Sequence, residues 1–486
     1  MSDPRSVLQA KFVETNRFDN FGTVLTQMRV YGFRCHADTT VEVKSPITAF
    51  CGINGTGKST LLQLAAVAYR NNPKFALSYY IKDFLVVGTL DPSPFKMDAR
   101  VEYKFWQKDH SLKQLTISRN AAKSNWSGYR RRLERPTQFA GVGLYLPRIE
   151  MRDFIVRYAS KLKVDSSEGV AEHIKKWTCR IMDQSYDDMQ RHTVSYSDRS
   201  KAVVSVKRGG NMYSEAHMGC GEGRIQYLVT SLEALPQQSC VLIEEPETSL
   251  HPHAQREFGN FLVDVATRRG HQIFLTTHSD PLLAALPSLS TVYIHNSSSG
   301  IKVVYGLTSI EAKSLMSKGY DKALNVLVED DVARAILTEL IRRINPTALS
   351  TTGIYAAERG AEDLKTTIRT VAEAGLPVAV VLDGDKQPTP KENIFALPGT
   401  LPPEKELFAS AAVRAFVQVQ YGTDLGDFSA GLHGVDHHQW CTRLAHHLAV
   451  AEEALVWELA RVYAKSVPET LAAALVGQLQ EASRKK

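Results

Sequence analysis

Residues 47–69 read ITAFCGINGTGKSTLLQLAAVAY, and this stretch decides the fold. The run ITAF is a short buried strand feeding straight into Gly52-Ile-Asn-Gly-Thr-Gly-Lys58-Ser59, and LLQLAAVAY continues as an apolar helix. This matches G-x-x-x-x-G-K-[ST] with the strand before it and the helix after it, the context that the motif requires. Glycines at this spacing let backbone N–H groups wrap a polyphosphate at a helix N-terminus. Asn54, Gly55, Thr56, Gly57, Lys58, Ser59 and Thr60 are therefore candidate phosphate contacts, with ATP and Mg²⁺ as the expected cofactors. Lys58 is expected on the β- and γ-phosphates, and the Ser59 hydroxyl on Mg²⁺.

Outward from this motif, the chain reads as an ordinary globular protein. Its 486 residues suggest two or three domains, with 43% hydrophobic and 23% charged residues and no repeat. The longest apolar runs are strand-length and the N-terminus lacks an apolar signal core, so neither a membrane span nor secretion is expected. Six cysteines without a CxxC pair fit reduced thiols in the cytoplasm and argue against a zinc site built on cysteine. A net charge of +6 is only a mild lean toward polyanions.

A partner motif lies downstream. Residues 240–245, CVLIEE, are a hydrophobic strand ending in two acids, and PETSLHPHAQ follows. Glu244 is expected to hold Mg²⁺ through water and Glu245 to polarise the attacking water. The strand QIFLTTHSD then brings His278 to where a γ-phosphate is sensed. EEPETSLHP followed by TTHS resembles the ATP-binding-cassette ATPases, within them the RecF, SMC and OLD branch, and implies that Pro246, SLHP and His278 are catalytic flank, D-loop and H-loop. Glu244 departs from the usual Asp, and a longer acid still binds Mg²⁺. Residues 218–224, MGCGEGR, resemble the signature loop that completes a second subunit's site, with Gly219 in place of the usual Ser. Gly219, Gly221 and Glu222 are thereby nucleotide candidates, and a head-to-head homodimer, with higher homo-oligomers allowed, is implied. Residues 151–200 are expected to form a helical insertion, without coiled-coil heptads. YRRRLERP, residues 129–136, is read as a solvated loop, with a nucleic-acid contact as the alternative.

The second half opens with ALNVLVEDDVARAIL, residues 323–337, an apolar run ending in Glu329, Asp330 and Asp331. LPVAVVLDGDKQ later ends a second apolar run in Asp383 and Asp385. With the helix and strand between, this is a parallel α/β unit whose acids sit at carboxyl ends of strands. A response-regulator receiver also begins with such a strand, but the helical remainder of the chain does not supply its later strands. A Glu after the first strand and Asp-x-Asp after the third resemble the Toprim fold, which implies Mg²⁺, with Mn²⁺ as a substitute, on Glu329, Asp383 and Asp385. Asp330, Asp331, Glu404 and Glu406 are candidate helpers.

Over residues 28–408 the chain resembles the OLD-family nucleases, including the ATPase–Toprim effectors of Gabija phage defence. The expected architecture is an α/β chain: an ABC/RecF-like P-loop head over 1–300, a linker over 301–321, a Toprim-like domain over 322–410 and a helical region over 411–486. The resemblance implies an ATPase coupled to a DNA endonuclease in cytoplasmic antiphage defence, with DNA as partner. Relatives carry Gly after the Glu and another acid four residues on, where this chain has Asp330 and Ala333. That departure supports a second expectation, an ATPase sensor whose degenerate Toprim unit controls a separate effector protein; a RecF-like DNA clamp is the third. The histidines at 433, 437, 438, 446 and 447 are read as structural or surface residues.

Overall fold

The strand Ile47–Cys51 is buried along its whole length because it lies inside a six-stranded sheet. Across that sheet the order is Gly300–Tyr305, Thr291–Ser297, Ile47–Cys51, Gln272–Thr276, Cys240–Glu244 and Thr137–Ala140. All neighbours are parallel except the hairpin Thr291–Ser297 with Gly300–Tyr305. Phe50 pairs with Thr276, and Thr276 with Glu244, so three strands end on one line. Strands buried on both faces carry near-continuous apolar runs, as CVLIE, QIFLT and ITAFC do.

The computed structural model describes residues 3–120, 125–145, 148–298, 300–317, 322–357, 360–373 and 377–484. Two compact units divide the chain, Met1–Ala312 and Lys313–Lys486. Among the described residues no helix is long and apolar enough to cross a membrane.

Besides the two-stranded pairing of Tyr69–Arg70 with Leu133–Glu134, the first unit carries two further, larger sheets among its described residues. One is antiparallel, in the order His36–Glu42, Val24–Phe33, Phe95–Trp106, Leu112–Asn120 and Asn125–Ser127. The other replaces the helical insertion expected over 151–200: Lys163–Gly169, Asp188–Tyr196, Arg199–Arg208 and Asn211–Ser214 form a four-stranded meander. Helix there is confined to short turns and Glu172–Met182. The reason is local: HTVSY and AVVSV are β-branched runs around a tight Ser197-Asp198 turn, which favours a hairpin. The expected linker is corrected as well, because Gly300–Tyr305 is an edge strand and Ser309–Met316 a helix; residues 318–321 lie outside the described residues.

YRRRLERP divides into two pairs. Arg130 and Arg131 are exposed, whereas Arg132 and Arg135 are each only 5% exposed. Arg135 donates to the carbonyls of Phe21, Thr23 and Gln238 at 2.7–3.0 Å and to Gln272 Oε1 at 3.1 Å. It is an internal strut, so neither the solvated-loop reading nor a nucleic-acid contact holds at this residue. Those carbonyls lie at a helix end, a bend and a turn, outside any sheet ladder, and a five-donor planar fork can satisfy several at once.

The second unit is built on a wholly parallel sheet, Thr352–Ala356, Leu324–Val328, Val378–Leu382 and Ile394–Ala396. Val328 pairs with Val381, so Glu329 and Asp383 leave adjacent strands almost level. Asp330 caps the helix Asp331–Ile344, its Oδ1 accepting from Ala333 N–H at 2.8 Å. The helices Glu452–Ser466 and Glu469–Arg484 pack on that helix, and Ala333, Ile336 and Leu340 share one core with Leu459, Leu475 and Leu479. The C-terminal helices are thus part of this unit's core, each buried leucine contributing about 1.5–3 kcal/mol.

Two stability predictions follow from the burial. Arg135→Ala orphans several buried carbonyls and is expected to cost about 3 kcal/mol or more, read by denaturant unfolding; a loss under about 1 kcal/mol would contradict the strut. His271, fully buried, accepts from Ser239 N–H at Nδ1 and donates from Nε2 to Leu232 O, both at 3.2 Å. Burial pushes its pKa down to about 4 from the usual 6.5. A depressed histidine stabilises the fold above pH 6.5 and loses that contribution as pH falls through 4, a swing of about 3 kcal/mol. Unfolding curves between pH 7 and 4 should lose this increment in the wild type, and much less of it in His271→Asn.

Candidate functional site

The loop after Ile47–Cys51 can turn only because of its glycines. Gly52 has φ +142° and a Cβ there would lie 2.2 Å from the Ile294 carbonyl oxygen. Gly57, at φ +85°, would drive a Cβ to 2.2 Å from His36 Nε2, the atom that already meets Gly57 O at 3.1 Å. The helix Lys58–Ala66 starts immediately after, directing its unpaired first N–H groups into the loop. Lys58 Nζ donates to Gly52 O and Ile53 O at 3.0 Å. Burial pushes its pKa down, while Glu245 pulls it back up. Asn54, Gly55, Gly57, Lys58, Ser59 and Thr60 line an open cleft of about 400 Å³ together with Glu245. Thr56 is fully buried and donates to Ile53 O at 3.0 Å, so it braces the loop from behind.

Glu244 ends its strand level with Thr276, and Glu245 turns out of the sheet at φ +43°. Its N–H is held by Thr276 O and Thr276 Oγ1, both at 3.1 Å. His278 Nε2 lies 3.7 Å from Glu245 Oε1. Burial and then Lys58 push the imidazole pKa down, which leaves it neutral near pH 7. Glu247 was not singled out by sequence, although it is the third acid of EEPETSLHP. Its Oε1 accepts from Thr277 Oγ1 at 2.8 Å and from His278 N–H at 2.6 Å, which ties the acidic turn to the histidine.

The glycine-rich loop at 218–224 opens the helix Cys220–Ala234 with Gly219 as its N-cap. Nothing lies within 4 Å of a Cβ built on Gly219, whereas one on Gly221 would meet Ser249 O at 2.5 Å. Arg224 donates to Thr248 O, so this loop and the SLHP turn are packed as one piece. Within this chain Glu222 acts as a brace: its Oε1 accepts the hydroxyls of Tyr186 at 2.7 Å and Tyr213 at 2.8 Å. Tyr213 lies on the meander strand Asn211–Ser214 and Tyr186 just before Asp188–Tyr196, an arrangement that the sequence had hidden.

In the second unit the acids converge. Glu329 Oε1 accepts from Asp383 N–H at 3.1 Å. Asp383 is 4% exposed, and burial, then Glu329, Asp330, Glu404 and Asp385, push its pKa up to about 8. Glu404, from the helix Pro403–Ala409, is 1% exposed, and burial followed by Asp330 pushes it up to about 7. Asp383 Oδ1, Glu404 Oε2 and Asp330 Oδ2 are buried with no hydrogen-bond partner among the described residues. Buried carboxylate oxygens without donors are costly unless protonated or held on a cation, so this donor set fits a divalent ion. Asp385 stands at the rim, paired with Lys386 Nζ at 2.9 Å.

Two expected helpers are removed from the site. Asp331 is 66% exposed at its side chain and pairs with Arg334 at 3.1 Å, because the first helical position points away from the strand ends. Glu406 caps the turn before its own helix, accepting from Thr400 N–H at 2.7 Å and Leu401 N–H at 3.0 Å. One addition was missed: His438 Nδ1 lies 3.2 Å from Glu404 Oε1 and 3.6 Å from Asp330 Oδ2. The reading of His437 and His438 as structural or surface residues gains a detail: exposed His438 meets the buried Glu404, a contact that their distance in sequence concealed.

Residues 27–72 match a family model described as "AAA domain". Residues 98–285 match one described as "AAA domain, putative AbiEii toxin, Type IV TA system". No curated protein matches the chain. Among solved structures it is similar to the SMC head domain from Thermotoga maritima, with 13% identity, 58% of this chain and 98% of that chain covered, and a TM-score of 0.35. An SMC head bound to the C-winged helix domain of ScpA is 12% identical over 58% of this chain and 97% of that chain, with a TM-score of 0.40. The head with an extended coiled coil from Pyrococcus furiosus is 11% identical over 61% and 99%, with a TM-score of 0.38. At these TM-scores the fold rests on the strand order and loop geometry above. Strand, glycine loop, helix and acidic strand, with two matching family models, make the first unit a P-loop ATPase domain.

Proposed function

We propose that this chain is an ABC-type, OLD-like ATPase sensor whose Toprim-like second unit docks and controls a separate effector protein. The observation that carries this reading is Ala333. It stands where the OLD pattern has its second acid, and it is fully buried in the core with its N–H bonded to Asp330. A two-metal site needs carboxylates on both ions, and here Asp331 turns to Arg334 instead. The match to a family model named for a putative toxin of a toxin–antitoxin system supports a defence setting in which one component restrains another.

Each ATPase residue then has a definite task. ATP with Mg²⁺, when bound, supplies the electrophilic γ-phosphoryl group. The loop N–H groups and Lys58 would hold the phosphates, and Ser59 with Glu244 would hold the ion. Glu245 accepts the proton of the attacking water, and neutral His278 can donate or accept beside it. Gly219 and Gly221 from a second copy complete the cleft, which makes the working state a homodimer and leaves higher homo-oligomers open. A second reading, a Mg²⁺- or Mn²⁺-dependent DNA endonuclease using Glu329, Asp383 and Asp385, is favoured by the donor-free oxygens of Asp383 and Glu404.

Lys58→Ala is expected to abolish ATP binding measured by calorimetry; unchanged affinity would remove Lys58 from the site. Glu245→Gln should retain ATP, lower the hydrolysis rate by about 10² or more and accumulate dimer in light scattering. The two readings separate in a cleavage assay on supercoiled and linear DNA with Mg²⁺ or Mn²⁺, with and without ATP. Intact ATPase activity without cleavage supports the sensor. Metal-dependent nicking that disappears in Asp383→Ala/Asp385→Ala would overturn it in favour of the nuclease.

A further inference from the structure

We infer that Glu404, His437 and His438, with Asp330 beside them, form a binding site for a transition-series dication of the Zn²⁺ class, distinct from an all-carboxylate Mg²⁺ site. One ligand atom from each of Glu404, His437 and His438 lies within 4.8 Å of the others. Donors on one tetrahedral zinc ion are about 3.4 Å apart, given bond lengths of about 2.0–2.1 Å. The pair His438 Nδ1 and Glu404 Oε1 already stands at 3.2 Å, and closing the set needs a movement of about 1 Å.

The local fold presents these atoms together. His437–Gln439 is a single 3-10 turn capped by Asp436, whose carboxylate accepts from His438 N–H at 3.2 Å. That turn brings two consecutive imidazoles to 4.1 Å between ring centroids. Glu404 arrives from the opposite side on Pro403–Ala409, with its side chain only 2% exposed and Oε2 lacking a hydrogen-bond partner among the described residues. Asp330 spends Oδ1 on its helix cap and turns the buried Oδ2 toward His438 at 3.6 Å. A buried carboxylate whose Oε1 meets an imidazole while its Oε2 lacks any donor among the described residues is more than a surface acid cluster, because that second oxygen lost water without gaining a proton donor.

The donor types select the ion. Imidazole nitrogen with carboxylate oxygen suits Zn²⁺, whereas Mg²⁺ prefers an all-oxygen octahedron with several waters. The histidines supply, from the C-terminal region, ligands to an acidic cluster that Ala333 leaves short of a carboxylate. The site shares Glu404 and Asp330 with the acidic cluster described above, and metal binding itself, rather than cleavage or docking, tests it.

The test uses the full-length, tag-free protein, stripped with a chelator and kept free of nucleotide. Calorimetric titration with Zn²⁺ should give one ion per chain, with millimolar Mg²⁺ failing to displace it. Co²⁺ should develop the visible absorption of a nitrogen-containing low-coordinate site. His437→Ala and His438→Ala are each expected to weaken Zn²⁺ binding at least about 10-fold, and His433→Ala, at an exposed histidine outside the ligand group, to leave it unchanged. The His438 side chain is 55% exposed, so its replacement should leave the metal-free melting curve unaltered, which separates ligand loss from misfolding. If both histidine variants keep the wild-type Zn²⁺ affinity, or if Mg²⁺ displaces Zn²⁺ at equal concentration, the site is not as inferred.

Discussion

Both candidate sites depend on one constraint: parallel strands in register deliver their carboxyl-terminal residues to one edge. In the first unit Phe50, Thr276 and Glu244 are paired across three strands, so the phosphate loop, His278 and the acidic turn emerge together. In the second unit the pairing of Val328 with Val381 does the same for Glu329 and Asp383. A slip of one residue would turn each strand's side chains to the opposite face, and the apolar burial of these strands forbids it.

The two edges manage their negative charge differently. Beside Glu245 and Glu247 stands Lys58, and the backbone N–H of His278 and the hydroxyl of Thr277 donate to Glu247 Oε1, while the buried Glu247 Oε2 has no hydrogen-bond partner among the described residues. In the second unit Lys386 reaches only Asp385 at the rim. Asp383 and Glu404 sit behind it with raised pKa values, near about 8 and 7. The first edge is therefore prepared for an anion, and the second for a cation.

Intramolecular bracing absorbs several polar residues that motif spacing assigns to ligands. Glu222 is held by two tyrosines, Glu406 by two turn amides, and Thr56 by a loop carbonyl. Arg132 and Arg135 look like a basic patch in sequence yet are buried on backbone carbonyls. Side-chain type and spacing cannot distinguish a group turned to solvent from one consumed by its neighbours.

The phosphate loop, the acidic strand, His278 and the acids of VEDD and DGD were legible because each follows a contiguous apolar run whose direction the pattern reveals. Positive φ at Gly52 and Gly57 is likewise written into residue type. The meander at 163–214, the fourth parallel strand Ile394–Ala396 and the edge strand Gly300–Tyr305 were not legible, since short strands gain their stability from partners elsewhere in the chain. What only the tertiary structure decided is which distant groups meet. Glu404 joins Asp330 and His438, Ala333 is sealed in the core, and Asp331 faces water, because packing of the C-terminal helices on Asp331–Ile344 fixes where each side chain ends.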